Sequence, residues 1–215
     1  MPVIKPLAEC RLYTFVDTAY LKGRSPEDVA SQLCEGGSDI IQLRAKNSTA
    51  DETRQMAEAI LPITDRAGVG LVINDYTRIA HQLGAFACHL GQEDFFDAGF
   101  NQAAQVTGCP PAFKLGVSTH APEQAQRAIG ARPDYIAIGP VYPTGTKPTA
   151  KAVTLDYVRW AAAHVQLPWF AIGGINLQTL DDVLAAGATR ICVVSAILNA
   201  PDIAAACREV KQRLG

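Results

Sequence analysis

The chain has 215 residues, of which 48% are hydrophobic and 19% charged, enough apolar material for a sizeable core and too much for a disordered or fibrous protein. Nineteen Lys and Arg stand against 21 Asp and Glu, a formal net charge of −2 with no basic tail or stripe, which argues against a general nucleic-acid binder. The apolar runs are short and interrupted, and the first ten residues lack the extended apolar core of a secretion signal, so no membrane association and a cytoplasmic location are expected.

In chain order, runs rich in Val, Ile, Phe and Tyr predict strands at 12–17, 39–46, 70–75, 87–92, 113–119, 135–141, 169–175 and 190–197. Ala-rich segments with polar residues at helical spacing predict helices at 25–35, 50–67, 76–83, 95–106, 121–129, 153–163, 177–185 and 202–213. Ser25 followed by Pro26 and Glu27, and Asn176 after the seventh strand, supply helix-start chemistry. Gly36, Gly37, Gly68, Gly84, Gly130 and Gly187 fall where a helix must turn back toward a strand. Eight strand-helix units without a Pro/Ser-rich linker predict a single-domain α/β chain, residues 1–215, closed as a (β/α)8 TIM barrel. An open doubly wound sheet is the alternative. The six cysteines have no zinc-ligand or redox-motif spacing and read as free thiols, mostly in the core.

In a barrel the chemistry sits at the carboxyl ends of the strands. Gln42, Arg44 and Lys46 are spaced by two and share one face of an extended strand. If that face is the interior, two cations and an amide converge at the mouth and call for an anionic ligand; the alternative is outward projection and pairing with helix carboxylates. Asn74 and Asp75 end the third strand, and Asp94 follows the fourth. Two such carboxylates suit Mg²⁺, which commonly takes one or two protein carboxylates and completes its octahedron with waters and phosphate oxygens. An Asp after a strand, taken alone, is more often a helix cap, and it gains weight here beside a cationic strand.

After the sixth strand, Thr144, Gly145, Thr146 and Lys147 combine hydroxyls, a glycine and a cation, as a phosphate-binding loop does, without the glycine spacing of a nucleotide-binding P-loop. Gly173 and Gly174 end the seventh strand, and Val194 and Ser195 lie in the eighth. Backbone amides of those two loops form a recurrent phosphate site in barrels, although a glycine pair also serves a plain tight turn. Ser118 and His120 follow the fifth strand. Nothing local orients a base for a hydrolytic triad, so a polar substrate contact is the reading for Ser118. His81 and His164 read as ordinary helix residues, and His89 stays open between a structural and a functional role.

The segments IQLRAKN, VINDY, CHLGQED, LGVSTH, DYIAIGPVYPTGTK, AIGGIN and VVSAI, in this order and across nearly the whole chain, resemble the thiamine-phosphate synthase family. The resemblance implies joining of 4-amino-2-methyl-5-(diphosphooxymethyl)pyrimidine to a thiazole phosphate, with release of diphosphate. It implies that Gln42, Arg44, Lys46, Asn74, Ser118 and Lys147 serve the pyrimidine diphosphate, with Arg44, Lys46, Lys147 and Ser118 carrying the catalysis. Asp75 and Asp94 would supply ligands to Mg²⁺. Thr144, Thr146, Gly174, Val194 and Ser195 would hold the thiazole phosphate, with Gly173 shaping the turn. The enzymatic rival is a thiazole tautomerase, which would move protons, through His120 for instance, and need no cation-and-carboxylate set. A noncatalytic phosphate-ligand sensor is the third reading.

Overall fold

The structure is a computed structural model that describes residues 2–109, 111–144 and 152–215. Eight parallel strands close into a barrel in sequence order: β1 Leu12–Asp17, β2 Ile40–Arg44, β3 Gly70–Asn74, β4 Ala87–Leu90, β5 Lys114–Thr119, β6 Tyr135–Ile138, β7 Trp169–Ile172 and β8 Ile191–Cys192. The helices are α1 Pro26–Glu35, α2 Ala50–Ala67, α3 Thr77–Leu83, α4 Gln92–Phe96, α5 Ala104–Thr107, α6 Pro122–Gly130, α7 Thr154–His164, α8 Leu180–Ala185, α9 Ser195–Leu198 and α10 Ile203–Leu214. The open doubly wound alternative is excluded, because β8 pairs back onto β1 through Leu12 and Tyr13. No helix among the described residues is long and apolar enough to cross a membrane.

Local chemistry sets the helix ends. Ser25 Oγ accepts the Asp28 amide at 3.0 Å, with Pro26 pre-set for the first turn. Thr49 and Glu52 form a reciprocal capping box that starts the long helix α2, and Gly68 ends it at φ +69°, a left-handed position where a side chain would be strained.

Two expected elements are corrected. The helix predicted over 95–106 is instead two short helices, α4 and α5, separated by a turn in which Gly99 adopts φ +86°. The strand predicted over 190–197 pairs only at Ile191–Cys192, and Ser195–Leu198 is a helical turn. A run of Val and Ile reads alike as a buried strand or a buried helical turn, which is why the pattern misled.

At the amino-terminal end of the barrel, the almost fully buried carboxylate of Asp39 gathers Lys5 at 2.7 Å, Lys211, and the amides of Arg11 and Leu12 at 2.9 and 3.0 Å. Burial alone would raise this carboxyl, but the bonds from Lys211, Lys5 and the two amides outweigh it and hold it below its ordinary range. The cluster ties the chain start and α10 to β2, at the end of the barrel that serves stability. All six cysteines are free, and four of them are buried.

Candidate active site

Strand parity decides which side chains face the interior. Tyr13, Phe15 and Asp17 alternate along β1, and the register opposes Phe15 to Gln42 and Asp17 to Arg44. Around the barrel, Asn74 opposes His89, His89 opposes Gly116, and Gly116 opposes Tyr135. The result is an aromatic floor: Tyr13 stacks on Phe15 with centroids 5.3 Å apart, and Phe170 meets Tyr13 and Tyr135 edge to face. Gly116 is what admits the Tyr135 ring, since a Cβ there would lie 2.1 Å from Tyr135 Cζ.

Above this floor opens a cleft enclosing about 870 Å³, open solvent included, at the carboxyl ends of the strands. Its walls bring together Gln42, Arg44, Asn74, Ser118, Thr144, Gly173, Gly174, Val194 and Ser195, all singled out in the sequence. His89 and His120 line it as well. Gly145, Thr146 and Lys147, three of the four residues of the expected phosphate loop, lie outside the described residues.

The cations do not stand unpaired, as the strand pattern alone suggested, and their partners are strand-end rather than helix carboxylates. Arg44 Nη1 donates to Asp17 Oδ2 at 2.9 Å, with the Asp17 side chain 1% exposed and Arg44 14%. Lys46 Nζ donates to Asp75 Oδ2 at 2.5 Å, and Asn74 Nδ2 donates to the same oxygen at 2.7 Å. Asp75 takes φ +65°, a left-handed conformation that Asp tolerates better than most residues, and its amide is fixed by the His89 carbonyl at 2.9 Å. Asp94 sits in the first turn of α4, exposed, with its carboxylate folded back over the end of β4: a Cβ on Gly91 would lie 2.6 Å from Asp94 Oδ2. The structure therefore carries two carboxylates just beyond the ends of adjacent strands, β3 and β4.

This donor set fits Mg²⁺. Asp75 and Asp94 offer hard oxygens only, without a thiol or imidazole that would favour a softer metal, and two carboxylates are what Mg²⁺ commonly takes from a protein. No cluster of three or more His, Cys, Asp or Glu suited to an all-protein cage occurs among the described residues.

On the opposite wall, Gly173 and Gly174 turn at φ +104° and +65°. A Cβ on either would strike Pro140 Cβ at 2.4 Å or Tyr142 Cβ at 2.6 Å, so bare backbone is required where the β6 and β7 loops cross. The Val141 and Tyr142 amides lock that crossing by donating to the carbonyls of Ile172 and Gly173. Beside it, Val194 and Ser195 open α9, and the first amides of a helical turn have no intrahelical acceptor, the arrangement that receives anions in barrels. His120 directs Nδ1–H to the Gly139 carbonyl, next to the cis Gly139–Pro140 bond.

The sequence reading missed Asp17, Tyr13 and Tyr135. Asp17 carries a readable signal, a carboxylate ending a strand at the parity of Tyr13 and Phe15. Burial pushes the Tyr13 and Tyr135 phenols well above their ordinary values, so both keep their protons at neutral pH.

The family model described as thiamine monophosphate synthase matches residues 12–197. A thiamine-phosphate synthase of Thermus thermophilus is 45% identical over 188 residues, covering 87% of this chain and 88% of that protein. One of Acidothermus cellulolyticus is 42% identical over 210 residues, covering 97% and 96%. Among solved structures, the thiamine phosphate pyrophosphorylase of Pyrococcus furiosus superposes with a TM-score of 0.84 at 26% identity, covering 97% of this chain and 96% of that one.

Proposed function

The chain belongs to the thiamine monophosphate synthase family and has thiamine-phosphate synthase activity, and from that premise we propose how the cleft at the barrel mouth carries it out. The substrates are the aminopyrimidine methyl diphosphate and a thiazole phosphate. The bond between the pyrimidine methylene carbon and the diphosphate oxygen breaks, and its electron pair leaves with diphosphate. The electron-rich aminopyrimidine stabilises the methylene cation, and the thiazole nitrogen supplies the pair for the new carbon–nitrogen bond, giving thiamine monophosphate.

Diphosphate leaves only if its developing charge is met by fixed positive groups. Arg44, the last residue of β2, and Lys46, two residues on in the turn that follows, are the cations for this role, Arg44 held against Asp17 and Lys46 against Asp75. Gln42, Asn74 and Ser118 orient the pyrimidine diphosphate, and Lys147 completes the cation set. Asp75 and Asp94 would hold Mg²⁺, which when bound neutralises phosphate oxygens on the leaving group. Thr144, Thr146, Gly174, Val194 and Ser195 take the thiazole phosphate, with Gly173 keeping the turn open. No side chain has to move a proton at the reacting carbon, so positioning and exclusion of water carry the rate.

The observation that carries this reading is the convergence, on one cleft, of a cationic strand end and a glycine-backed anion cradle on the opposite wall. The test is incubation with both substrates and Mg²⁺ and direct detection of products. Stoichiometric thiamine monophosphate and diphosphate support the reading. Isomerisation of a thiazole without coupling would favour the tautomerase instead, and tight binding without turnover the sensor.

A further inference from the structure

Five polar groups from five strands run across the barrel floor in one unbroken line. Gln42 Nε2 donates to Tyr13 Oη at 2.7 Å, Tyr13 Oη meets Tyr135 Oη at 3.0 Å, Tyr135 Oη meets His89 Nδ1 at 3.1 Å, and His89 Nε2 meets Ser118 Oγ at 2.8 Å. Gln42, His89 and Ser118 line the cleft, and Tyr13 borders it from below although, like Tyr135, it is almost wholly buried, at 1% and 0% exposed. No step of the reaction uses the three groups in the middle.

The sense of every bond follows from proton counting. Each hydroxyl has one proton to give, and a buried one must find an acceptor. Tyr13 already accepts from the Gln42 amide, and its only acceptor among the described residues is Tyr135. Tyr135 thus accepts from Tyr13 and gives its own proton to His89 Nδ1. An imidazole that accepts at Nδ1 carries its proton at Nε2, so His89 donates to Ser118 Oγ. Ser118 Oγ, having accepted, has no other hydrogen-bond partner among the described residues, and its proton is left for the cleft. At the other end, one N–H of the Gln42 amide is given to Tyr13, which fixes the orientation of the amide and leaves its carbonyl oxygen to accept, beside its second N–H.

We propose that Tyr13, Tyr135 and His89 are positioning residues that fix the His89 tautomer and thereby present Ser118 to the pyrimidine substrate as a hydrogen-bond donor and Gln42 as an acceptor. The inference rests on the pyrimidine-diphosphate reading of the cleft and deepens it. An aminopyrimidine offers complementary groups, ring nitrogens that accept and an exocyclic amine that donates. A substrate edge with the reverse pattern, such as a pyrimidinone, would set a ring N–H against the Ser118 donor and withdraw the amine that the Gln42 carbonyl oxygen accepts from, and be rejected by the larger margin that unpaired buried polar groups impose. Gly116 belongs to the device, because its missing side chain is the space through which the Tyr135 ring reaches His89.

Two measurements test it. Nitrogen-15 NMR of histidine-labelled wild-type protein without substrate reads the His89 tautomer directly, assigned by its loss in His89→Gln. A neutral ring protonated at Nε2 is expected, and a ring protonated at Nδ1 overturns the proposal whether or not the protein turns over. Tyr135→Phe removes one oxygen and breaks the line at its centre. It is expected to mix the His89 tautomers and raise KM for the pyrimidine diphosphate about tenfold, leaving KM for the thiazole phosphate within twofold. An unchanged pyrimidine KM, or an equal rise for both substrates, would show a merely structural hydroxyl. Wild-type protein that keeps the Nε2–H tautomer but makes no thiamine monophosphate would instead defeat the functional reading and leave the chain's polarity standing.

Discussion

Replacing Asp17 by Asn removes a charge while keeping the shape and the Oδ1 acceptor that holds the Ala19 amide at 3.0 Å. What is lost is the ion pair with Arg44, 2.9 Å long and with its carboxylate side 1% exposed. At that separation the attraction is about 6 kcal/mol for an effective dielectric near 20, most of it offset by the desolvation both groups have already suffered. Breaking a buried pair from one side typically costs about 3–5 kcal/mol, because the partner stays buried and uncompensated. Arg44 retains contact with the water of the cleft, its side chain being 14% exposed, which places Asp17→Asn near the lower end, at about 3 kcal/mol. For a chain of this size that is a fall in melting temperature of roughly 6–12 °C. Urea unfolding followed by tryptophan fluorescence gives the single-variant values, and Arg44→Gln with the double variant closes a cycle. Removing both charges should cost at least about 1.5 kcal/mol less than the sum of the two single changes. A coupling within about 0.5 kcal/mol of zero would mean that the pair does not hold Arg44, and the argument from its burial would fail.

Asp75→Asn and Asp94→Asn should each raise the Mg²⁺ concentration for half-maximal coupling by more than about tenfold, with melting temperature nearly unchanged, since both carboxylates lie at the solvent-facing mouth. Titration of activity against Mg²⁺ checks this, and an unaltered metal response in both variants rejects the assignment. Gly174→Ala puts a side chain at φ +65° and 2.6 Å from Tyr142 Cβ, so KM for the thiazole phosphate should rise further than KM for the pyrimidine diphosphate. Equal changes in steady-state kinetics would detach that turn from the thiazole site. The lowered Asp39 carboxyl contributes stability that is complete above its ordinary value of 3.8 and is lost as pH falls through its still lower folded-state value. Asp39→Asn should therefore destabilise the protein at neutral pH in calorimetry and lose most of that deficit by about pH 2; a deficit independent of pH would contradict the linkage.

Much of the architecture is legible in the sequence because period-two apolar runs and capped amphipathic segments alternate eight times, and α2 spans the residues its pattern predicts. Boundaries failed where chemistry at the strand ends overrode the pattern. Val193 to Ile197 continues the apolar character of β8 but turns to place backbone amides at the mouth, and 95–106 breaks around Gly99. At the site, Gln42, Arg44, Asn74 and Ser118 are readable because a polar residue at an interior strand position needs a reason. Asp17 shows only its parity at a strand end, and Tyr13 and Tyr135 show less. Their roles depend on partners 27, 29 and 46 residues away in Arg44, Gln42 and His89, which only barrel closure brings together. A tyrosine in an apolar run otherwise looks like core.

The most direct measurement is a crystal structure of the protein with the pyrimidine diphosphate, Mg²⁺ and an unreactive thiazole phosphate analogue. The diphosphate should lie against Arg44 and Lys46 with the metal on Asp75 and Asp94, and the second phosphate against Gly174 and Ser195. A diphosphate bound away from the β2 end, or a metal held by other residues, would contradict the account.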